Sequence, residues 1–412
     1  MTFLPLRASE LGLSQTLIGV SGSAYFAGFL TGALMIPPII ARVGHIRSFT
    51  ALMAIFLCSF LCLSLVDQSA FWILIRFLLG AVMCGAYTVI ESWLADQSQS
   101  TEHGRVLSIY TGVVLLAMAF GQYLLGFVHT NPFYPFIVVS LLVGLAIIPI
   151  SLTSSDVPVP VPVTNFSFTK LYRRSHTAFA GALGSGIVMG GFWSLGAIYI
   201  LHKTNDPTFV PTFIATSIIG GAVAQYPIGV ASDKIDRRFV LTALCLATGL
   251  SAFGLLFAKM QISLLIAAFS FGAAANSLYA VSLAKAADNS KRDEFVTLAS
   301  SVLLLHALGS SGGSLIIGWM MRSADNEALF AFLGCISLVT GGFIAIQPPG
   351  KTSVRIDDQS TFVPSTSALA PAAFEQDPRS IEEPEPTASS KSNKIMAREK
   401  EAPQILVNEA SV

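Results

Sequence analysis

Eleven apolar runs, each long enough to cross a lipid bilayer, leave this chain little freedom in its choice of fold. A hydrocarbon core of about 30 Å needs ~20 apolar residues per helical span. Inside it each backbone N–H and C=O must find its partner within its own segment, which a helix provides. Runs of that length lie near residues 15–40, 47–66, 70–95, 103–128 and 132–152, and again near 177–203, 208–233, 237–258, 262–286, 294–320 and 327–347. Turn chemistry separates them, as in His-Thr-Asn-Pro at 129–132 and Asn-Asp-Pro at 205–207. Charged residues make up 12% of the chain and hydrophobic ones 53%, whereas a soluble domain carries about 25% charged residues. Even this charge is concentrated at one end: Gly350–Val412 holds seven of the 24 Lys and Arg and ten of the 24 Asp and Glu. The expectation is an all-α integral membrane protein with the lipid bilayer as its first partner.

The runs are repeated as a set. A shift of 192 residues, without a gap, places Gly28 on Gly220, Arg42 on Lys234, Gly80 on Gly272, Asp96 on Asp288, Gly121 on Gly313 and Gly126 on Gly318. Six spans separate each pair, an even number, so the two halves share one orientation, as in parallel repeats about an axis along the membrane normal. The expected organisation is a bundle at 1–152, a linker at 153–175, a second bundle at 176–347 and a tail at 348–412. The linker alternates Pro158, Pro160 and Pro162 with valines, which favours an extended chain. The tail is rich in Pro, Ser, Ala and Glu and too poor in apolar residues to offset its ordering entropy. The same shift carries the span 177–203 onto a position mostly before Met1. The eleven spans are therefore expected to be helices 2 to 12 of a twelve-helix plan, with residues 1–10 the end of a truncated first helix.

Loop charge orients the chain. Arg42, Arg47, Arg105, Lys170, Arg173, Arg174, Lys234, Arg237, Arg238, Lys285, Lys291 and Arg292 fall on one side, against Arg7, Lys203, Lys259 and Arg322 on the other. The basic side is expected in the cytoplasm, with the linker and tail, and the whole in the cell (inner) membrane as a multi-pass monomer.

Two loops carry a motif. Gly229-Val-Ala-Ser-Asp233-Lys234-Ile-Asp-Arg237-Arg238 resembles the GxxxDRxGRR signature of the major facilitator superfamily in the second-half position. Its first-half partner keeps Arg42, Gly44, His45 and Arg47 but has Ala41 in place of the aspartate. The resemblance implies a cytoplasmic latch at Asp233 and puts the first-half latch in question; simple charge anchoring is the alternative. The segments GHIRSF at 44–49, ESWL at 91–94 and GRVLSIY at 104–110 are together similar to the YcaD-like branch of that superfamily. This likeness covers Pro5 to Pro348, excludes the tail and names no cargo.

The polar residues inside the spans are the candidate site. Arg76, Gly80, Met83, Tyr87 and Glu91 share one face of a helix, and a charge in hydrocarbon faces a cavity or a partner. Arg76 followed by Gly80 resembles the helix 4 arginine motif associated with proton-coupled exchange; a hydrogen-bond hub is its other reading. Glu91 faces either the cavity or loop bases such as Arg47 and Arg105. Tyr25, Gln122, Trp193, Gln225, Asn276, Tyr279 and His306 complete the set, each open to a packing role, and His306 also to carrying a proton. Pairs such as Gly28/Gly32 and Gly309/Gly313 provide surfaces for close helix packing.

Other chemistries lack their residues. There is no GxxxxGK[ST] loop, no HExxH and no GxSxG, so no enzyme activity and no cofactor is expected. No basic patch interleaved with aromatics suggests nucleic acid. The five cysteines lie in apolar runs and read as buried, inert thiols. The function expected is secondary transport of a small organic solute by alternating access, coupled to protons. A membrane sensor or scaffold that kept the fold and lost transport is the alternative.

Overall fold

The computed structural model describes residues 2–97, 103–128, 131–153, 166–288, 290 and 294–347. Asp96 among the side chains, Lys291, Arg292, Pro158, Pro160, Pro162 and the tail from 348 lie outside what it describes. The described residues belong to one compact unit, Met1–Gln376. They form thirteen helices: α1 (Phe3–Glu10), α2 (Gln15–Val43), α3 (His45–Cys62), α4 (Ser69–Gln97), α5 (His103–Val128), α6 (Tyr134–Ser151), α7 (Phe168–Arg174), α8 (His176–Thr204), α9 (Phe209–Lys234), α10 (Arg237–Phe257), α11 (Gln261–Asp288), α12 (Phe295–Ala324) and α13 (Ala328–Ile346). Eleven of them, all but α1 and α7, are long and apolar enough to span a bilayer. Their outer faces are apolar too: Leu116 is 71% exposed, Leu145 62% and Leu250 67%. A water-facing surface would not carry rows of such side chains; a lipid-facing one does.

The internal repeat is reproduced in space. His45 and Arg237, Ser69 and Gln261, and His103 and Phe295 open paired helices 192 residues apart. The packing partners repeat as well: α2 on α4 and α9 on α11, α3 on α6 and α10 on α13, α3 on α4 and α10 on α11. The closest approaches coincide atom for atom. Gly28 lies against the carbonyl of Phe77 and Gly220 against that of Phe269, while Gly80 lies against the carbonyl of Tyr25 and Gly272 against that of Ser217. In lipid there is no hydrophobic gain in bringing helices together, so association depends on close packing of small residues. Glycine is what allows these backbones to touch.

The halves meet along α2–α12 and α5–α9, with α8 against α2. Small and hydroxylic residues line this seam. Gly19 approaches Ser314 and Gly318, and Gly22 approaches Ser194. Ser23 and Ser311 share a hydrogen bond of 2.8 Å, and the Thr16 hydroxyl donates to the Gly318 carbonyl.

Two expectations need correction. The linker is not extended throughout: Phe168–Arg174 is helical, capped by Ser167, whose hydroxyl accepts from the Lys170 N–H at 3.2 Å. Leu171 is fully buried, and Glu294 at the start of α12 binds Lys170 Nζ at 3.1 Å and Arg174 Nη2 at 2.8 Å. The cysteines also differ from expectation. Cys84 and Cys245 are buried, but Cys58 and Cys335 are exposed and Cys62 is intermediate.

Gly80→Ala is expected to lower the thermal unfolding midpoint in detergent, because its Cβ would fall on the Tyr25 carbonyl; overpacking of this kind costs about 1–3 kcal/mol. Gly342→Ala, where nothing lies within contact of the added carbon, should leave the midpoint unchanged. Docking of α7 has its own test. The hydrogen bond from Arg174, supported by Lys170, holds the Glu294 carboxyl below the usual carboxylate range. A lowered carboxyl contributes stability above its ordinary pKa and loses it as pH falls through the lowered value, so α7 stays docked across neutral pH. Glu294→Gln should speed amide exchange at 168–174 at pH 7; unchanged protection would assign the docking to Leu171 alone.

Candidate functional site

The face of α4 that the helical spacing defines does line a cavity. A cavity of about 350 Å³ is bordered by Tyr25 from α2, Arg76, Met83 and Tyr87 from α4, Gln122 from α5 and Trp193 from α8. Phe3 and Leu4 of α1 close one side. The Arg76 guanidinium lies over the Tyr25 ring, 4.8 Å from its centroid, an attraction between a cation and the negative face of the ring. The Gln122 side-chain oxygen is buried and has no hydrogen-bond partner among the described residues. The cavity's place in the repeat is informative. Met118, Gly121, Gln122 and Leu125 correspond to Ser310, Gly313, Ser314 and Ile317, the α12 face on which α8 packs through Gly190 and Ile187. The cavity therefore follows, in the first half, the line that α8 fills in the second.

Thus Arg76, Tyr87, Gln122 and Trp193 are brought together, and Glu91, Asn276 and His306 stand outside this cavity. Asn276 is held between helices: its Nδ2 donates to the Gly272 carbonyl at 2.9 Å, and its side chain lies against Gly221. His306 is buried, with Nδ1 3.0 Å from the Ser185 hydroxyl and its ring edge-on to Tyr279 at 4.9 Å. Glu91 is fully buried one turn beyond Tyr87, whereas Arg47 and Arg105 are exposed.

The second-half motif is a clamp around one cation. Arg237 is fully buried. Its Nε donates to Ser232 Oγ at 3.1 Å, Nη1 to the Ala284 carbonyl at 2.9 Å and to Asp288, and Nη2 to Asp233 Oδ1 at 2.9 Å. Such charge-assisted bonds are about twice as strong as neutral ones. Asp236 caps α10 through the Arg238 N–H and receives Lys285 Nζ at 3.2 Å. Burial pushes the Asp236 carboxyl up, but the Arg238 N–H and Lys285 together hold it below the usual range. Arg238 reaches the carbonyls of Ala345 and Gln347 at the end of α13. Lys234 is exposed, and Gly229 is buried in α9.

The first half builds the same corner from weaker parts. Under the repeat His45 takes the place of Arg237, Ala41 that of Asp233 and Ser92 that of Ala284. His45 is buried with Nε2 2.8 Å from Ser92 Oγ, while Arg42 and Arg47 are exposed. Gly44 turns the chain at φ 92°, a left-handed conformation that favours glycine. One participant escaped sequence reasoning: Asp288 as the partner of Arg237. The 192-residue shift had marked Asp288, without showing what it binds.

These features match known proteins over most of the chain. The profile of the Major Facilitator Superfamily matches residues 1–205 and 178–376. The chain is 26% identical over 340 residues to the uncharacterised MFS-type transporter YcaD of Escherichia coli O7:K1, covering 82% of this chain and 88% of that protein. It is 27% identical over 344 residues, at the same coverages, to an uncharacterised MFS-type transporter of Yersinia pseudotuberculosis. Among solved structures, the nucleoside transporter NupG superposes with a TM-score of 0.64 at 13% identity, over 84% of this chain and 95% of that one. A bacterial homolog of the human lysosomal transporter Spinster, inward-facing and occupied, does so at 0.65 and 16%, over 84% and 90%. At such identities these two structures speak for the fold alone. The repeated packing, the Arg237 clamp and these matches agree: the chain belongs to the Major Facilitator Superfamily.

Proposed function

We propose that this membrane protein is a secondary active transporter that moves a small organic solute by alternating access and is coupled to protons. The observation that carries the reading is the seam: two halves of equivalent packing meet along α2–α12 and α5–α9 through glycines and hydroxyls. Contacts of that kind are cheap to break and remake, which rigid-body rocking of repeats requires. The halves at 1–152 and 176–347 are the rocking bodies, the linker joins them, and the basic loops and the tail face the cytoplasm of the inner membrane. The cavity, aromatic with Arg76 as the single cation among its described lining residues, suits an amphiphilic solute. In this reading Asp233 and Arg237 fix the cytoplasmic loop of the second half as a rigid latch. A second reading, a transport-inactive sensor or scaffold, draws on Ala41, which removes the acid from the first-half motif.

Vesicles reconstituted with the protein and loaded with a pH-sensitive dye decide between the two. Under an imposed pH gradient, one or more members of a panel of small organic solutes should evoke solute-dependent proton flux, and a protonophore should abolish solute accumulation. Arg76→Ala should lower that flux about tenfold or more, the scale of losing a charged hydrogen-bonding group. Accumulation that survives collapse of the gradient would contradict proton coupling, and a folded protein silent to the whole panel would favour the sensor. The latch has a separate test. Arg237→Leu strands Asp288 in a buried site, which costs roughly 3–5 kcal/mol, read as a lower unfolding midpoint. Adding Asp288→Leu should recover much of the loss; no recovery would contradict the pairing.

A further inference from the structure

The two spans that meet the linker helix are longer than the hydrocarbon they cross. α8 has 29 residues and α12 has 30, about 43 and 45 Å at a rise of about 1.5 Å per residue. A bilayer is about 30 Å thick in its hydrocarbon and about 40–45 Å with its headgroups. Both helices therefore begin among the headgroups. α7 is joined to α8 through Ser175 alone and packs on α8 and α12, so it lies at that level.

The two sides of α7 differ. Leu171 is fully buried. Lys170, Arg173 and Arg174 follow the i, i+3, i+4 spacing that puts residues on one face, and with Ser167 and Thr169 they line a groove of about 410 Å³. Among the described residues one acid answers the three cations: Glu294 lies 3.1 Å from Lys170 Nζ and 2.8 Å from Arg174 Nη2. Arg173 is exposed and makes no ion pair among the described residues. Three cations against one carboxylate leave this face basic. By holding Lys170 and Arg174, Glu294 also fixes two of the groove's donors in advance, which lowers the cost of ordering them around a ligand. Tyr172 and Phe166, next to the lining residues in the chain, are 45% and 43% exposed. The Tyr172 ring is edge-on to His176 at 4.4 Å and to Phe179 at 5.3 Å. Exposed aromatics of this kind belong at the boundary between hydrocarbon and headgroups.

We infer that this groove is a binding site for the phosphate of an anionic phospholipid such as phosphatidylglycerol. The phosphate oxygens accept from the Arg173 guanidinium, whose planar fork of donors suits a phosphate, and from Lys170 and the Thr169 hydroxyl. The acyl chains run past the aromatic flank into the hydrocarbon. A choline headgroup carries its own cation, which Arg173 and Lys170 repel, so the groove selects for net negative charge. When filled, it ties the linker to the leaflet where the chain passes from one bundle to the other. Binding here needs a bilayer and not transport.

The test is amide exchange over residues 168–174 of the full chain, in nanodiscs of phosphatidylcholine with and without phosphatidylglycerol. Phosphatidylglycerol should slow exchange there about threefold or more, the factor expected when the lipid exceeds its dissociation constant about twofold. High salt should weaken the effect. In phosphatidylcholine Arg173→Gln should exchange like the parent, because Arg173 is tied to no acid in the fold. It should lose most of the response to phosphatidylglycerol, since removing one cation near an anionic surface weakens binding about fivefold. Arg173→Lys should restore much of it. Arg42→Gln, which removes an exposed cation from another basic loop, should respond like the parent. Equal exchange in the two kinds of disc would overturn the assignment, as would an undiminished response in Arg173→Gln. An equal loss in Arg42→Gln would reduce the effect to diffuse surface charge. Protection by inorganic phosphate in phosphatidylcholine discs would give the groove to a free anion, and either result overturns the lipid site.

Discussion

Contact between bare backbones is the interaction on which the rest of this structure depends. In a bilayer the lipid tails are as apolar as leucine, so helices gain nothing by hiding side chains from one another. They gain dispersion contacts and satisfied polar groups, and both need close approach. Gly28 and Gly80 provide it between α2 and α4, and Gly220 and Gly272 provide it at the equivalent crossing of α9 and α11. The first of these crossings positions the side of α4 from which Arg76, Met83 and Tyr87 line the cavity. The seam between the halves uses the same device with serine hydroxyls added, which gives contact without a thick layer of interlocked large side chains.

On that repeated frame the two halves have diverged in what they fix and what they leave adjustable. The second half is tied down at its basic end by a buried guanidinium with four protein partners and by Lys285 and Arg238 beside it. The first half has a histidine and a serine in the corresponding corner.

Much of this was legible in the sequence, for reasons particular to membranes. The length of each span follows from bilayer thickness, so the predicted start at residue 15 coincides with that of α2 and the predicted span 103–128 with α5. The repeat was readable because glycines at helix crossings cannot be exchanged for larger residues. The convergence of Arg76, Tyr87, Gln122 and Trp193 on one cavity followed partly from helical spacing on α4. Other features left no such trace. The apolar run read near 15–40 stops short of the helix, which continues through Pro37 and Pro38 to Val43. Hydropathy does not separate a cysteine facing lipid from one facing protein, so Cys58 and Cys335 were misjudged. The seven residues of α7 are too few for periodicity to reveal. The pairing of Arg237 with Asp288 joins the ends of α10 and α11 across 51 residues, which no local pattern encodes.

Locking the seam tests the central claim most directly, that equivalent halves part and rejoin along α2 and α12. The Ser23 and Ser311 hydroxyls lie 2.8 Å apart, so Ser23→Cys and Ser311→Cys, in protein cleared of its three outward cysteines, should form a disulfide on oxidation. The measurement is solute-dependent proton flux in vesicles before oxidation, after it, and after reduction. The account predicts flux that disappears with the crosslink and returns with the reductant. Flux undiminished in fully crosslinked protein would contradict it.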